Sequence, residues 1–206
     1  MKPAGRPLGA VALALVVVAL AIANVFAFRG PAWEAKSTPL TWQHGPLDGG
    51  DERVDLEWKD VAFVAVSDSS EAALSFGVIR RGDAYITLED TNSFEKVVEF
   101  DGGVFVIGQS STEGPGPTVD VIVTRDDGAT FTLLAQVPKP NYQQGIVDAW
   151  LEGQTLKVRL DALGEDIPVG DDWAWWWVRP HVGLHEVELR SKNGGRTWFL
   201  DTRPRQ

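Results

Sequence analysis

Few side chains in this chain stand at spacings that chemistry would use. His181 and His185 are four apart. On a helix that spacing presents two imidazoles to one zinc ion. Here Pro180 precedes them and the surrounding pattern is that of strands, so the pair reads as histidines at the core rim or in solvent rather than as ligands. The 29 acidic residues supply a carboxylate pair almost anywhere, so no particular pair marks a glycoside hydrolase, and no Gly-x-Ser-x-Gly nucleophile turn occurs. Cysteine is absent. That removes disulfides, thiolate nucleophiles, iron–sulfur clusters and cysteine zinc sites. No catalytic residue, metal site or cofactor is assigned from the sequence.

The most unusual stretch is Asp171-Asp172-Trp173-Ala174-Trp175-Trp176-Trp177. In a strand, Trp173, Trp175 and Trp177 fall on one face and Trp176 on the other. Four neighbouring indoles are hard to bury in a small domain. Surface tryptophan beside acid suits a protein anchor or a sugar-stacking platform. Asp171, Asp172, Trp173, Trp175 and Trp176 are therefore the candidate binding residues. The other reading is a late strand packed on an aromatic core.

The elements that must position these residues begin with a hydrophobic segment. Residues 8–28 carry no charge and follow Lys2 and Arg6. A helix of that length spans a hydrocarbon core of about 30 Å. Its basic flank is expected to stay in the cytoplasm and send the rest of the chain across the membrane. Residues 1–29 are thus read as an uncleaved signal-anchor in the inner membrane. A signal peptide cleaved after Ala21-Ile22-Ala23, releasing the domain to the periplasm, and a buried core helix are the alternatives. Residues 30–52, rich in Pro and Gly and without hydrophobic period, are read as a linker. Trp42 within it is expected to pack on the domain.

Residues 53–206 form the exported domain. Short apolar runs, several alternating with period two as in Leu156-Lys157-Val158-Arg159-Leu160, are separated by Gly82-Asp83, Asp101-Gly102-Gly103, Asp126-Asp127-Gly128, Glu152-Gly153 and Asn193-Gly194-Gly195. The expected fold is all-β, with about a dozen short antiparallel strands in a small propeller-like or sandwich domain. From residue 30 onward 16 basic side chains face 29 acidic ones, a net −13. That excludes a nucleic-acid binder, which needs a basic face, and favours a basic protein partner.

Two octapeptides carry the most specific pattern. Thr124-Arg125-Asp126-Asp127-Gly128-Ala129-Thr130-Phe131 and Ser191-Lys192-Asn193-Gly194-Gly195-Arg196-Thr197-Trp198 both fit S/T-x-D/N-x-G-x-T-W/F, each after an apolar run. Asp126 or Asn193 can accept bonds from turn amides, Gly128 and Gly195 supply positive φ, and the Thr124, Ser191, Thr130 and Thr197 hydroxyls can tie the strand ends. Phe131 and Trp198 would plug the hairpin onto the sheet below. The pattern resembles the Asp-box (BNR repeat) of sialidases and other β-propellers. In such families the box is structural and lies away from the active site. The 67-residue spacing of the boxes exceeds the 40–45 residues of one four-stranded blade, so a complete sialidase domain does not fit. Tyr85 and Tyr142 are the only tyrosines that a sialidase-like mechanism could use, and neither stands in a recognisable motif.

More loosely, the chain resembles the immunity proteins that neutralise type VI secretion lipase effectors: small, exported, β-rich and carrying a similar box. The likeness rests on the strand at 103–108, the Gly/Pro loop at 110–117, and the strand and box that follow. Members commonly carry a lipobox cysteine, where this chain has an apolar segment. The resemblance implies a non-enzymatic binding protein that neutralises a protein partner at the envelope. A small Asp-box carbohydrate-binding or sialidase-like hydrolase domain and a structural subunit of an envelope complex are the alternatives.

Overall fold

The computed structural model describes residues 32–47, 50–67, 75–110, 117–140, 144–161 and 185–204. Residues 1–31, with the hydrophobic segment, and residues 171–177, with the tryptophan run, lie outside them. Among the described residues there is no helix, and none long and apolar enough to cross a membrane. The fold is all-β: fifteen strands in three five-stranded antiparallel sheets.

The three sheets repeat one plan. The first holds β4 (Asp51–Trp58), β5 (Val61–Ser67), β6 (Ser75–Arg81) and β7 (Ala84–Leu88) as a meander. The second holds β8 (Ser93–Phe100), β9 (Gly103–Gln109), β10 (Thr118–Thr124) and β11 (Phe131–Pro138). The third holds β12 (Ile146–Glu152), β13 (Thr155–Leu160), β14 (His185–Ser191) and β15 (Thr197–Pro204). In β4, β8 and β12, the first strand of each meander, the register shifts by one residue, at Asp55, Glu95 and Val147 respectively. Such bulges bend a strand and strengthen its twist. The carboxylate of Asp55 on the first bulge accepts the Phe94 N–H beside the second at 2.9 Å, which stitches the two sheets.

The stretch 30–52, read from sequence as a linker, contributes a fifth strand to every sheet. β1 (Ala32–Glu34) pairs with β15, β2 (Thr38–Leu40) with β11, and β3 (Gln43–His44) with β7. The strands are two or three residues long, too short to show a period, and their partners are remote in sequence. Trp42 packs edge-on against Phe131, ring centroids 5.9 Å apart, and its indole N–H donates to the Ala129 carbonyl at 2.9 Å.

Two cores hold the sheets together. Trp58, Val61, Phe63, Ile79 and Ile86 of the first sheet pack on Phe94, Val104, Val106, Ile122 and Phe131 of the second. The opposite face of the second sheet presents Phe105, Ile107, Val119, Val121 and Val137 to Val158, Leu160, Val187, Leu189, Trp198 and Leu200 of the third. The second sheet is therefore covered on both faces. This explains why β9 and β10 read as nearly continuous apolar runs while the outer β4 and β12 are mixed. The packing runs from first sheet to second to third, and the described residues show no closure into a ring.

Candidate functional site

Strand direction sorts the connections into two ends. At one end lie all six hairpin tips. Four are two-residue turns, Lys59-Asp60, Gly82-Asp83, Asp101-Gly102 and Gly153-Gln154, and the other two are the Asp126 and Asn193 octapeptides. Each tip contains a residue with positive φ, as the right-handed twist of tight hairpins demands. At the other end lie the longer connections: β5 to β6, β9 to β10, β11 to β12 and β13 to β14.

The two octapeptides form the same turn. Thr124 Oγ1 donates to Asp126 Oδ1 at 2.9 Å and accepts the Gly128 N–H at 2.9 Å. Thr130 donates its N–H to Asp126 Oδ1 at 2.9 Å and its hydroxyl to Oδ2 at 2.7 Å. In the second turn Ser191, Asn193, Gly195 and Thr197 take the same places. There the last bond runs the other way, from Asn193 Nδ2 to Thr197 Oγ1 at 3.0 Å. Gly128 and Gly195 sit at φ 79 and 88, each after another left-handed residue, Asp127 or Gly194. Phe131 and Trp198 are buried, each in the core between its own sheet and the preceding one.

These bonds make the first turn acid-sensitive and leave the second insensitive. The Thr130 amide and hydroxyl, with the Thr124 hydroxyl, hold the Asp126 carboxyl below the ordinary value of 3.8. A carboxylate whose pKa is lower in the folded chain contributes stability that is present above the unfolded pKa and lost as pH falls through the folded one. Asn193 does not titrate. The protection of the Thr130 amide, its exchange relative to the intrinsic rate at each pH, is therefore expected to fall below about pH 4 while Thr197 keeps its protection. Equal behaviour of both amides would show that the carboxylate bonds do not hold the turn.

The opposite end buries a polar cluster that the sequence reading missed. Asp120 is wholly buried and accepts from Thr118 Oγ1 at 2.6 Å and Thr91 Oγ1 at 2.8 Å. Burial raises its pKa, opposed by bonds from Thr118, Thr91 and Gln136. Lys139, also buried, donates to Gln109 Oε1 at 3.2 Å and to the Gln144 carbonyl at 2.9 Å. Burial lowers its pKa, and the charges of Asp120 and Glu95 oppose that shift. Gln144 Nε2 donates to the Asp161 carbonyl at 2.9 Å, while its Oε1 is buried without a partner. A signal for Asp120 did exist: it is the single charge inside Val119-Asp120-Val121-Ile122-Val123. The cluster ties β7–β8, β9–β10 and β11–β12 together and fixes Asp161, from which the connection to β14 departs.

Of the sequence-assigned residues, the ten of the two octapeptides stand together at the hairpin end. Asp171, Asp172, Trp173, Trp175 and Trp176 lie outside the described residues, between β13 and β14. Tyr85 packs partly buried beside Val64, Val66 and Val78 on the first sheet, and Tyr142 lies outside the described residues. Among the described residues no group of three or more His, Asp or Glu could hold a metal ion. Compared with known proteins, the chain matches no family model, no curated protein and no solved structure.

Proposed function

We propose that this chain is a non-enzymatic binding protein whose domain stands on the periplasmic side of the inner membrane, anchored by residues 8–28, and neutralises a basic protein partner. The immunity proteins of type VI lipase effectors are the functional model. The observation that carries the proposal is the place of the tryptophan run in the topology. Among the described residues all three sheets reach five strands. Trp173–Trp177 falls in sequence between β13 and β14, and the β13 end and β14 start that flank it stand at the end of the domain opposite the hairpin tips. Clustered indoles beside Asp171 and Asp172 supply large contact area, and the net −13 beyond residue 29 speeds encounter with a basic surface. The thrice-repeated meander supports a partial, propeller-like arrangement as the scaffold.

Affinity capture with tagged full-length protein, wild type against Trp173→Ala/Trp176→Ala, tests this. The expected result is one stoichiometric basic partner, weakened by salt and lost in the double variant, whose melting curve matches wild type. Recovery of nothing specific by well-folded wild-type protein would overturn the proposal.

A further inference from the structure

On a domain this acidic, exposed cations find partners easily. Arg53 pairs with Asp55, Lys59 with Asp127, Arg80 with Glu52, Arg81 with Asp60, Lys96 with Asp148, Arg159 with Asp148, and Arg190 with Asp201. Among the described residues, four exposed cations have no carboxylate within 4 Å: Lys36, Arg125, Lys192 and Arg196. Three of these four are not scattered. Arg125 and Lys192 hold the same position in the two octapeptide turns, Arg196 follows Gly195, and Lys36 stands between Ala35 and Ser37 on the link from β1 to β2.

The turns meet across a trough. A depression of about 360 Å³ is lined by Ala35, Ser37, Arg125, Thr132, Leu134 and Arg196, with Asn193 and Gly194 on its wall. A second, of about 450 Å³, shares Arg125, Asn193 and Gly194 and continues past Lys192 to Phe100 and Leu151. Arg125 bridges the two. Its guanidinium lies over the Phe100 ring at 5.2 Å, and Nη2 is 3.9 Å from the point where a side chain at Gly194 would begin. Two carboxylates stand nearby. Asp126 is turned into its own turn and saturated by Thr124 and Thr130, and Asp101 lines the second depression without pairing to any of the four cations.

We propose that this trough binds a small polyanion, through phosphate or carboxylate groups. Three like charges, Arg125, Arg196 and Lys192, line this trough and repel one another, and a compact anion between them relieves that repulsion. Arg125 and Arg196 each offer a planar fork that fits phosphate or carboxylate with two hydrogen bonds, and Lys192 adds a point charge. The site is independent of the partner-binding end: it sits on the hairpin tips and has the opposite charge.

Full-length protein in non-ionic detergent, titrated separately with pyrophosphate and citrate at ionic strength matched with NaCl, tests the proposal. Saturable binding by one or both anions is expected, with shifts at the Ser37, Thr130 and Gly194 amides. Arg125→Gln/Arg196→Gln should weaken it at least tenfold with little loss of melting temperature, because neither side chain has an ion pair to lose and only the exposed Arg125–Phe100 contact is given up. Lys96→Gln, which removes a paired cation elsewhere, should leave binding unchanged. Binding by pyrophosphate alone identifies a phosphate ligand, and by citrate alone a carboxylate. Absence of saturable binding by both, the same shifts with NaCl alone, or undiminished affinity in the double variant would overturn it.

Discussion

Trp198→Ala is expected to destabilise the domain by about 3–5 kcal/mol, the range for removing a fully buried large aromatic side chain. Two losses combine. The indole is wholly buried in the core that joins the third sheet to the second, so its removal leaves a cavity lined by residues of both. Its N–H also donates to the Gly195 carbonyl at 2.9 Å, which ties the turn to the core beneath it. In a domain of this size the melting temperature should fall by about 10 °C. Trp198→Phe separates the two contributions: it keeps much of the volume and loses the bond, for about 1–2 kcal/mol. A loss below 1 kcal/mol for the alanine variant, read from denaturant midpoints, would mean that the third sheet does not depend on this core.

Adjacent glycines in the β8–β9 hairpin give the second large effect, as a contrast. At Gly103 a Cβ would lie 2.1 Å from the Thr124 carbonyl oxygen, 2.8 Å from the Phe100 ring and 3.1 Å from Arg125 Cα. Two of these three neighbours are backbone, so no rotamer change relieves the clash. β9 would have to separate from β10 where β10 enters the first octapeptide turn. Gly103→Ala is expected to cost about 3 kcal/mol, the upper end for overpacking. At Gly102 the φ is 83 and a Cβ would meet nothing within 4 Å, so alanine there costs only the left-handed backbone, about 1 kcal/mol. Thermal melts of the two variants should differ plainly. Similar melts would show that the strands at Gly103 are not in such close approach.

The parts of the fold that sequence made legible are those built from local bonds. The two octapeptides predict their turns because every donor and acceptor lies within seven residues: Thr124 to Thr130, Ser191 to Thr197. β7, β9, β13 and β15 begin just after the glycine-containing turns that the sequence marks at Gly82-Asp83, Asp101-Gly102, Glu152-Gly153 and Asn193-Gly194-Gly195. Residues 54–66 hold parts of two strands, β4 and β5, that no turn sequence singled out above separates, because the turn at Lys59-Asp60 lacks glycine and Lys59 itself adopts φ 55. Pairing over distance was not legible. β1, β2 and β3 exist only because β15, β11 and β7 present open edges. The long spacing between the octapeptides has a simple source: residues 162–184 intervene between β13 and β14. Nor did sequence show that Arg125, Lys192 and Arg196 stand without a carboxylate partner. That depends on where the acids of other strands fall.

The pairing of β1 with β15 has a consequence for how the chain reaches its native state. Ala32, Trp33 and Glu34 sit opposite Phe199, Trp198 and Thr197, residues separated by most of the polypeptide. β1 must therefore wait for β15. Each meander can assemble as it emerges, since its neighbours are sequential. The outer edge of the third sheet stays open until β15 has been made, and closing so large a loop is slow. Throughout that interval the open edge is a template for pairing with another chain. C-terminal truncation just before β15 should therefore yield a product that self-associates rather than a slightly smaller domain, because it leaves β1 without a partner and β14 with a bare edge.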